Sequence, residues 1–209
     1  MTKIDVNFFK KRNRVRNYLH FDKKRNDSFV CEYVTDVKKI ERHAFLPTIS
    51  YILNEKKINR KKTRKDKITK IDYKDKERLI NFPSHLDGNI YAYYSKILEK
   101  FYEEFLNNED LEDSVIAFRK ITKLNSKGNK YSLCNIHFAK EVFDKINLNE
   151  NCTVLCFDIS GFFDNLDHEI LKKNWCTLLG VDKLPLDHFK VFQSLTEFAY
   201  VKKKNYIKN

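Results

Sequence analysis

The chain has 209 residues, enough for one large domain or two small ones, and 42% of them are apolar, including 17 Phe and 11 Tyr. That supply can fill a core and excludes wholesale disorder, while only four Gly and three Pro argue against a loop-rich all-β fold. A net charge of +12 directs attention to polyanionic partners.

In chain order, Met1–Lys11 has no signal-peptide core, and no apolar run reaches bilayer length, so the sequence predicts a soluble, cytoplasmic protein. Residues 1–30 read as basic and partly extended, around one aromatic knot, Tyr18-Leu19-His20-Phe21-Asp22. The spacing of Ile40, Ala44, Ile49, Ile52 and Leu53 predicts a helix over Val37–Leu53, bent near Pro47. The charge run Lys56–Lys67 reads as a mobile loop. Ile68–Tyr73 and Arg78–Phe82 read as two short strands of a hairpin, with Lys74-Asp75-Lys76-Glu77 as its loop. Pro83 ends the second strand, and Asp87 is the expected cap of a long amphipathic helix, Gly88–Leu106.

Ser114–Phe118 reads as a short strand and Ser126–Asn129 as a turn. Asn135–Ile146 has helical periodicity. Thr153–Phe157 is almost wholly apolar, the pattern of a strand covered on both faces. Helices are predicted over His168–Leu179 and Leu186–Tyr200.

The positive charge is concentrated. Lys10–Arg25 holds eight basic residues against one acid, Lys56–Arg78 twelve against four, and Val201–Asn209 four lysines and no acid. Clusters of this kind suit a nucleic-acid surface, and equally the solvated faces of a lysine-rich protein. The five cysteines, Cys31, Cys134, Cys152, Cys156 and Cys176, form no Cys-x-x-Cys pair and read as reduced thiols, several of them buried.

The chemistry concentrates in Cys152–Leu171. A buried strand would deliver Asp158 at its C-terminal end, where a carboxylate can meet solvent and hold a hard divalent cation. Asp164, Asp167 and His168 follow, and turn-former or helix-cap roles are open for Asp158 and Asp167 as well.

The run Phe157-Asp158-Ile159-Ser160-Gly161-Phe162-Phe163-Asp164-Asn165-Leu166-Asp167-His168, with Leu171, closely resembles the first palm motif of bacterial reverse transcriptases. That group includes retron, group II intron, defence-associated and abortive-infection enzymes. Ser114–Lys120 and Asn135–Ala139 resemble the segments just upstream, in the form found in the defence-associated lineages. The resemblance covers roughly residues 15–180. It implies an α+β right-hand polymerase fold, with fingers over 1–150 and the start of the palm over 151–209. It also implies an RNA-directed DNA polymerase, a nucleotidyltransferase that uses Mg²⁺, dNTPs, an RNA template and a DNA or RNA primer, with a cognate non-coding RNA and a role in antiviral defence among its associations.

Residue by residue, the resemblance makes Asp158 the catalytic metal ligand and Ile159 a carbonyl ligand. Phe163 becomes the ring that excludes a ribose 2′-hydroxyl. Arg78 and Lys70 become the basic pair that holds the triphosphate on the fingers hairpin. Asp164, Asp167 and His168 are expected in structural roles.

The departure from the family pattern lies downstream. No Tyr-x-Asp-Asp-like run follows His168, and the thumb is missing, so the chain reads as an N-terminal portion that is inactive alone. A non-catalytic nucleic-acid-binding remnant of such an enzyme is the competing expectation. An unrelated helical interaction protein is the third.

Overall fold

The computed structural model describes residues 6–15, 18–62, 68–149 and 151–203, and the protein is a mixed α+β chain. Its elements are α1 (Val6–Val15), α2 (Asp27–Val34), α3 (Val37–Glu41), β1 (Thr48–Lys62), β2 (Ile68–Phe82), α4 (His85–Asn108), β3 (Thr122–Leu124), β4 (Lys130–Ser132), α5 (Asn135–Leu148), a 3-10 turn (Phe163–Asn165), α6 (His168–Leu179), α7 (Leu186–Thr196) and β5 (Tyr200–Lys202). They divide into two compact units, Met1–Lys96 with Lys183–Asn209, and Ile97–Asp182. No helix among the described residues is long and apolar enough to cross a membrane.

The first unit is organised by one long hairpin. β1 and β2 pair antiparallel from Ile49↔Phe82 to Lys62↔Ile68, with a single register shift between Lys61 and Lys62. β5 adds in parallel to the base of β1, giving the order β2-β1-β5. This corrects three expectations. The helix predicted over Val37–Leu53 stops at Glu41, six residues before Pro47, and Thr48 onward is strand, where Thr48, Ile49, Tyr51 and Ile52 favour extended backbone. The hairpin is not folded within Ile68–Phe82. Lys74–Glu77 has no Gly or Asn-Gly pair to reverse the chain, so β2 runs straight through it, opposite Asn54–Lys57. Lys56–Lys62 is therefore strand, and only residues 63–67 of the predicted loop lie outside the described residues.

The aromatic knot secures the base of this hairpin. Tyr18 stacks on Phe82 (4.7 Å between ring centroids) and on His85 (4.9 Å), and its hydroxyl donates to the Pro83 carbonyl at 2.8 Å. Tyr51 extends the stack from the other side of Phe82. The residues following this base start α4. Its first turn has unpaired backbone N–H groups, and the Asp22 carboxylate accepts from His85 at 2.9 Å and from Leu86 at 3.0 Å. Ser84 Oγ accepts from the N–H of Asp87. Asp22 and Ser84 are thus the caps, and Asp87 is not. α1, α2, α3 and α7 complete the unit around Phe9, Val30, Val34, Ile40, Ile90, Tyr94 and Val191, all buried.

In the second unit, β3 and β4 form a short hairpin with Gly128 at φ +76° in its turn, where a left-handed residue is needed. α5 and α6 match their predicted spans closely. Asp167 caps α6, its Oδ1 accepting from Glu169 at 2.8 Å and Ile170 at 3.0 Å, and left-handed Gly180 closes it. Ser114–Phe118 is irregular and not strand. α7 ends at Thr196, short of the predicted Tyr200, and the chain re-enters as β5.

Candidate functional site

The segment that carries the motif is exposed. Thr153–Ile159 belongs to no helix or strand, with Leu155 74% and Phe157 87% accessible. The predicted strand covered on both faces is therefore not formed. An apolar strand of that kind needs ladder partners on its edges and layers on both faces, and the described residues supply neither. Cys152 and Cys156 are exposed with it, as is Cys134, while Cys31 and Cys176 are partly accessible. The reading of several cysteines as buried is corrected accordingly.

Asp158 stands on this stretch, exposed to solvent, with Ile159 beside it. A tight turn follows. Gly161 sits at φ +62°, and its carbonyl accepts from the backbone N–H of Asp164 (3.1 Å) and Asn165 (3.1 Å) and from Asn165 Nδ2 (2.8 Å). The positive φ is what favours glycine at this position, and a Cβ there would also require the Asn165 amide, 2.9 Å away, to move. Phe163, on the 3-10 turn, is 67% exposed and meets the ring of Phe162 edge to face. Asp164 and His168 are exposed.

Magnesium fits these residues incompletely. Among the described residues no three His, Cys, Asp or Glu side chains converge as a metal site, and Asp158 supplies one carboxylate. A pair of ions about 4 Å apart requires carboxylates from more than one segment.

Arg78 is on β2, exposed, and its Nε is 3.1 Å from Glu55 Oε2 on β1. The backbone at Lys70 is also in β2, opposite Lys61, and its side chain lies outside the described residues. Eight positions along β2 separate the two, about 26 Å at the usual rise. The structure does not bring them together on one triphosphate. Lys76, exposed and opposite Glu55, shares the strand face of Arg78 at about 7 Å. Sequence reasoning passed over it because it was assigned to a turn.

A second polar cluster, unannounced by any motif, lies at the start of α4. The buried Asp87 carboxylate bonds His43 Nε2 at 2.7 Å and accepts from the N–H of Leu46 at 3.0 Å. Tyr33 Oη is 3.0 Å from His43 Nδ1. Burial, with Asp87 nearby, pushes the Tyr33 phenol above its ordinary range, so the hydroxyl keeps its proton beside the His43 ring. A cavity of about 420 Å³ adjoins this chain of bonds, lined in part by Asp22, Lys23, Arg25, His43 and Ser84. Tyr94 makes a similar contact, donating to buried Asp187 at 2.6 Å.

The second unit contains an exposed ring pair that sequence reasoning also missed. Phe118, at φ +58°, meets Phe163 edge to face at 5.9 Å. Its neighbour Arg119 turns inward. Nε and Nη2 grip Glu103 at 2.8 and 2.6 Å, and Nη1 donates to the carbonyls of Glu112 and Val115. A bulky residue in the left-handed region costs on the order of 1–2 kcal/mol, which the Arg119 contacts are placed to offset.

No known protein-family profile matches this chain, and no curated protein matches it.

Proposed function

We propose that this chain is the fingers and first palm segment of a reverse-transcriptase-type polymerase, an RNA-directed DNA polymerase of the antiviral-defence kind. In this reading the β1–β2 hairpin and its basic residues face nucleic acid and the incoming dNTP. Asp158 contributes one catalytic carboxylate, and further carboxylates come from outside the described residues. Phe163 meets the sugar of the nucleotide.

The observation that carries the reading is the run Phe157–His168, in which an unpaired, solvent-facing Asp158 immediately precedes a glycine-centred turn and a capped helix. An acid serving only to tie off a bend would accept hydrogen bonds from that bend. Here Gly161 and Asn165 hold the turn, leaving that task to neither oxygen of Asp158. The long hairpin running through Pro83 into the 24-residue α4 agrees with the order of elements expected of fingers.

Primer extension tests it. The natural gene product carrying this chain, given Mg²⁺, a primed RNA template and dNTPs, incorporates deoxynucleotide, and Asp158→Ala removes the incorporation. Equal incorporation by the variant counts against the reading.

A non-catalytic nucleic-acid-binding role is the second reading, favoured by the absence, among the described residues, of converging metal ligands around Asp158. It predicts salt-sensitive RNA binding without incorporation under any of these conditions.

A further inference from the structure

We infer that the edge-to-face pair Phe118–Phe163 is a stacking platform for a base of single-stranded nucleic acid, with Phe118 as the ring that carries the base. The inference rests on the reading of the chain as a nucleic-acid-handling polymerase segment, and adds to it a contact outside the sugar-facing role of Phe163.

Three independent features converge on Phe118. Its ring is 92% exposed, although an aromatic on a loop ordinarily folds back onto the surface beside it. Its backbone is held at φ +58°, a conformation a bulky residue adopts only when its surroundings impose it. The imposing contact is visible, since Arg119 is pulled inward by Glu103, Glu112 and Val115, and the preceding side chain is turned outward. Phe163 then braces the ring from one side at 5.9 Å with planes at 88°, which fixes its orientation and leaves flat aromatic surface open.

The charge around this loop selects the occupant. From Phe118 to Lys140 the sequence has six basic residues and no acid. Arg119 is committed inward, while Lys120, Lys123, Lys127 and Lys130 are all exposed on the loop and the β3–β4 hairpin that follow. Asp164 stands beside Phe163 on the other half of the pair, so the positive charge lies on the Phe118 side; an exposed ring followed by a lysine series is the composition of a surface that stacks bases and tracks a phosphate backbone. An apolar protein partner would gain nothing from that lysine series. A duplex would keep its bases stacked on each other and out of reach of Phe118.

The test is fluorescence anisotropy of a labelled oligothymidylate and of the same strand annealed into a duplex, titrated with the full chain. Four proteins are compared: wild type, Phe118→Ala, Phe118→Leu and Phe118→Trp. Emission from Trp175, buried and the only tryptophan of the wild-type chain, reports that the Ala and Leu variants fold. Circular dichroism does so for Phe118→Trp. Removing a stacked ring weakens binding by about five-fold to about a hundred-fold. Both Phe118→Ala and Phe118→Leu are expected in that range, and Phe118→Trp within about three-fold of wild type, since it restores a flat ring. Single strand is expected to bind more tightly than duplex. If wild type binds and the Ala or Leu variant binds equally well, the platform is overturned and the nucleic-acid reading stands. If wild type binds neither strand nor duplex, both fall.

Discussion

The carboxylate of Asp22 receives the backbone N–H of His85 at 2.9 Å, joining the aromatic knot near the N-terminus to the first turn of α4, 63 residues away in sequence. The same residue takes the N–H of Leu86, so one side chain satisfies two of the helix's open donors. Asp22→Ala is expected to lower stability by about 1–2 kcal/mol, and Asp22→Asn by less, because the amide oxygen still accepts. Urea titration followed by circular dichroism checks this. An unchanged midpoint would mean that water caps α4 as well as Asp22 does.

Asp87 is buried and ties His43 and the Leu46 backbone to α4. Removing it leaves the His43 ring and the Leu46 N–H, both part-buried, without this acceptor. Asp87→Ala is expected to cost about 2–4 kcal/mol, several times the loss from an exposed acid. The double variant with His43→Ala should cost less than the sum of the single changes, since each removes the other's partner. Simple additivity in a double-mutant cycle would show that the two side chains do not interact.

Stability should also fall on mild acidification. Burial pushes the pKa of His85 and of His188 below the ordinary 6.5, in His188 against an opposing pull from Asp187. Between 6.5 and those lower folded values the unfolded chain binds protons that the folded chain does not, so stability rises with pH through this window and is lost as pH drops through it. The thermal midpoint should decline from about pH 7 to about pH 5.5, and His188→Gln should flatten the decline. A midpoint constant over that range would contradict the prediction.

Gly161 is predicted to resist substitution, chiefly through its backbone. Both its φ of +62° and the 2.9 Å approach of Asn165 Nδ2 oppose a Cβ, so Gly161→Ala should destabilise the turn by about 1–2 kcal/mol. Amide exchange at Asp164 and Asn165, whose N–H groups bond the Gly161 carbonyl, should accelerate in the variant.

Arg78 separates stability from binding. Its pair with Glu55 is exposed, so Arg78→Ala should change stability by less than about 1 kcal/mol. If the hairpin holds a triphosphate, the same change should weaken dNTP binding by about ten-fold, a loss equilibrium dialysis can measure.

Helices with clear periodicity and end signals were legible from sequence. α6 is bracketed by Asp167 and Gly180, and α5 lies close to its predicted span. The hairpin was legible in kind and not in position. Its strands are long and charged, and lysines alternating with acids carry no apolar period to mark them. Tertiary capping was invisible, since nothing local ties Asp22 to His85. Thr153–Phe157 shows the reverse failure: the pattern of a buried strand is present, and the partners that would bury it are not among the described residues. Arg119 and Phe118 were noticed only as part of a resemblance, because an inward arginine and an outward phenylalanine invert the ordinary expectation from polarity.

Template-directed dNTP incorporation by the natural gene product carrying this chain, measured with Mg²⁺ for wild type beside Asp158→Ala, bears most directly on the polymerase assignment. Incorporation by the wild type and a loss of at least about a hundred-fold in the variant are expected, the scale seen when a charge-stabilising group is removed from a reacting centre. Incorporation that survives the loss of Asp158, or none from the wild type on any primed template, would contradict the assignment.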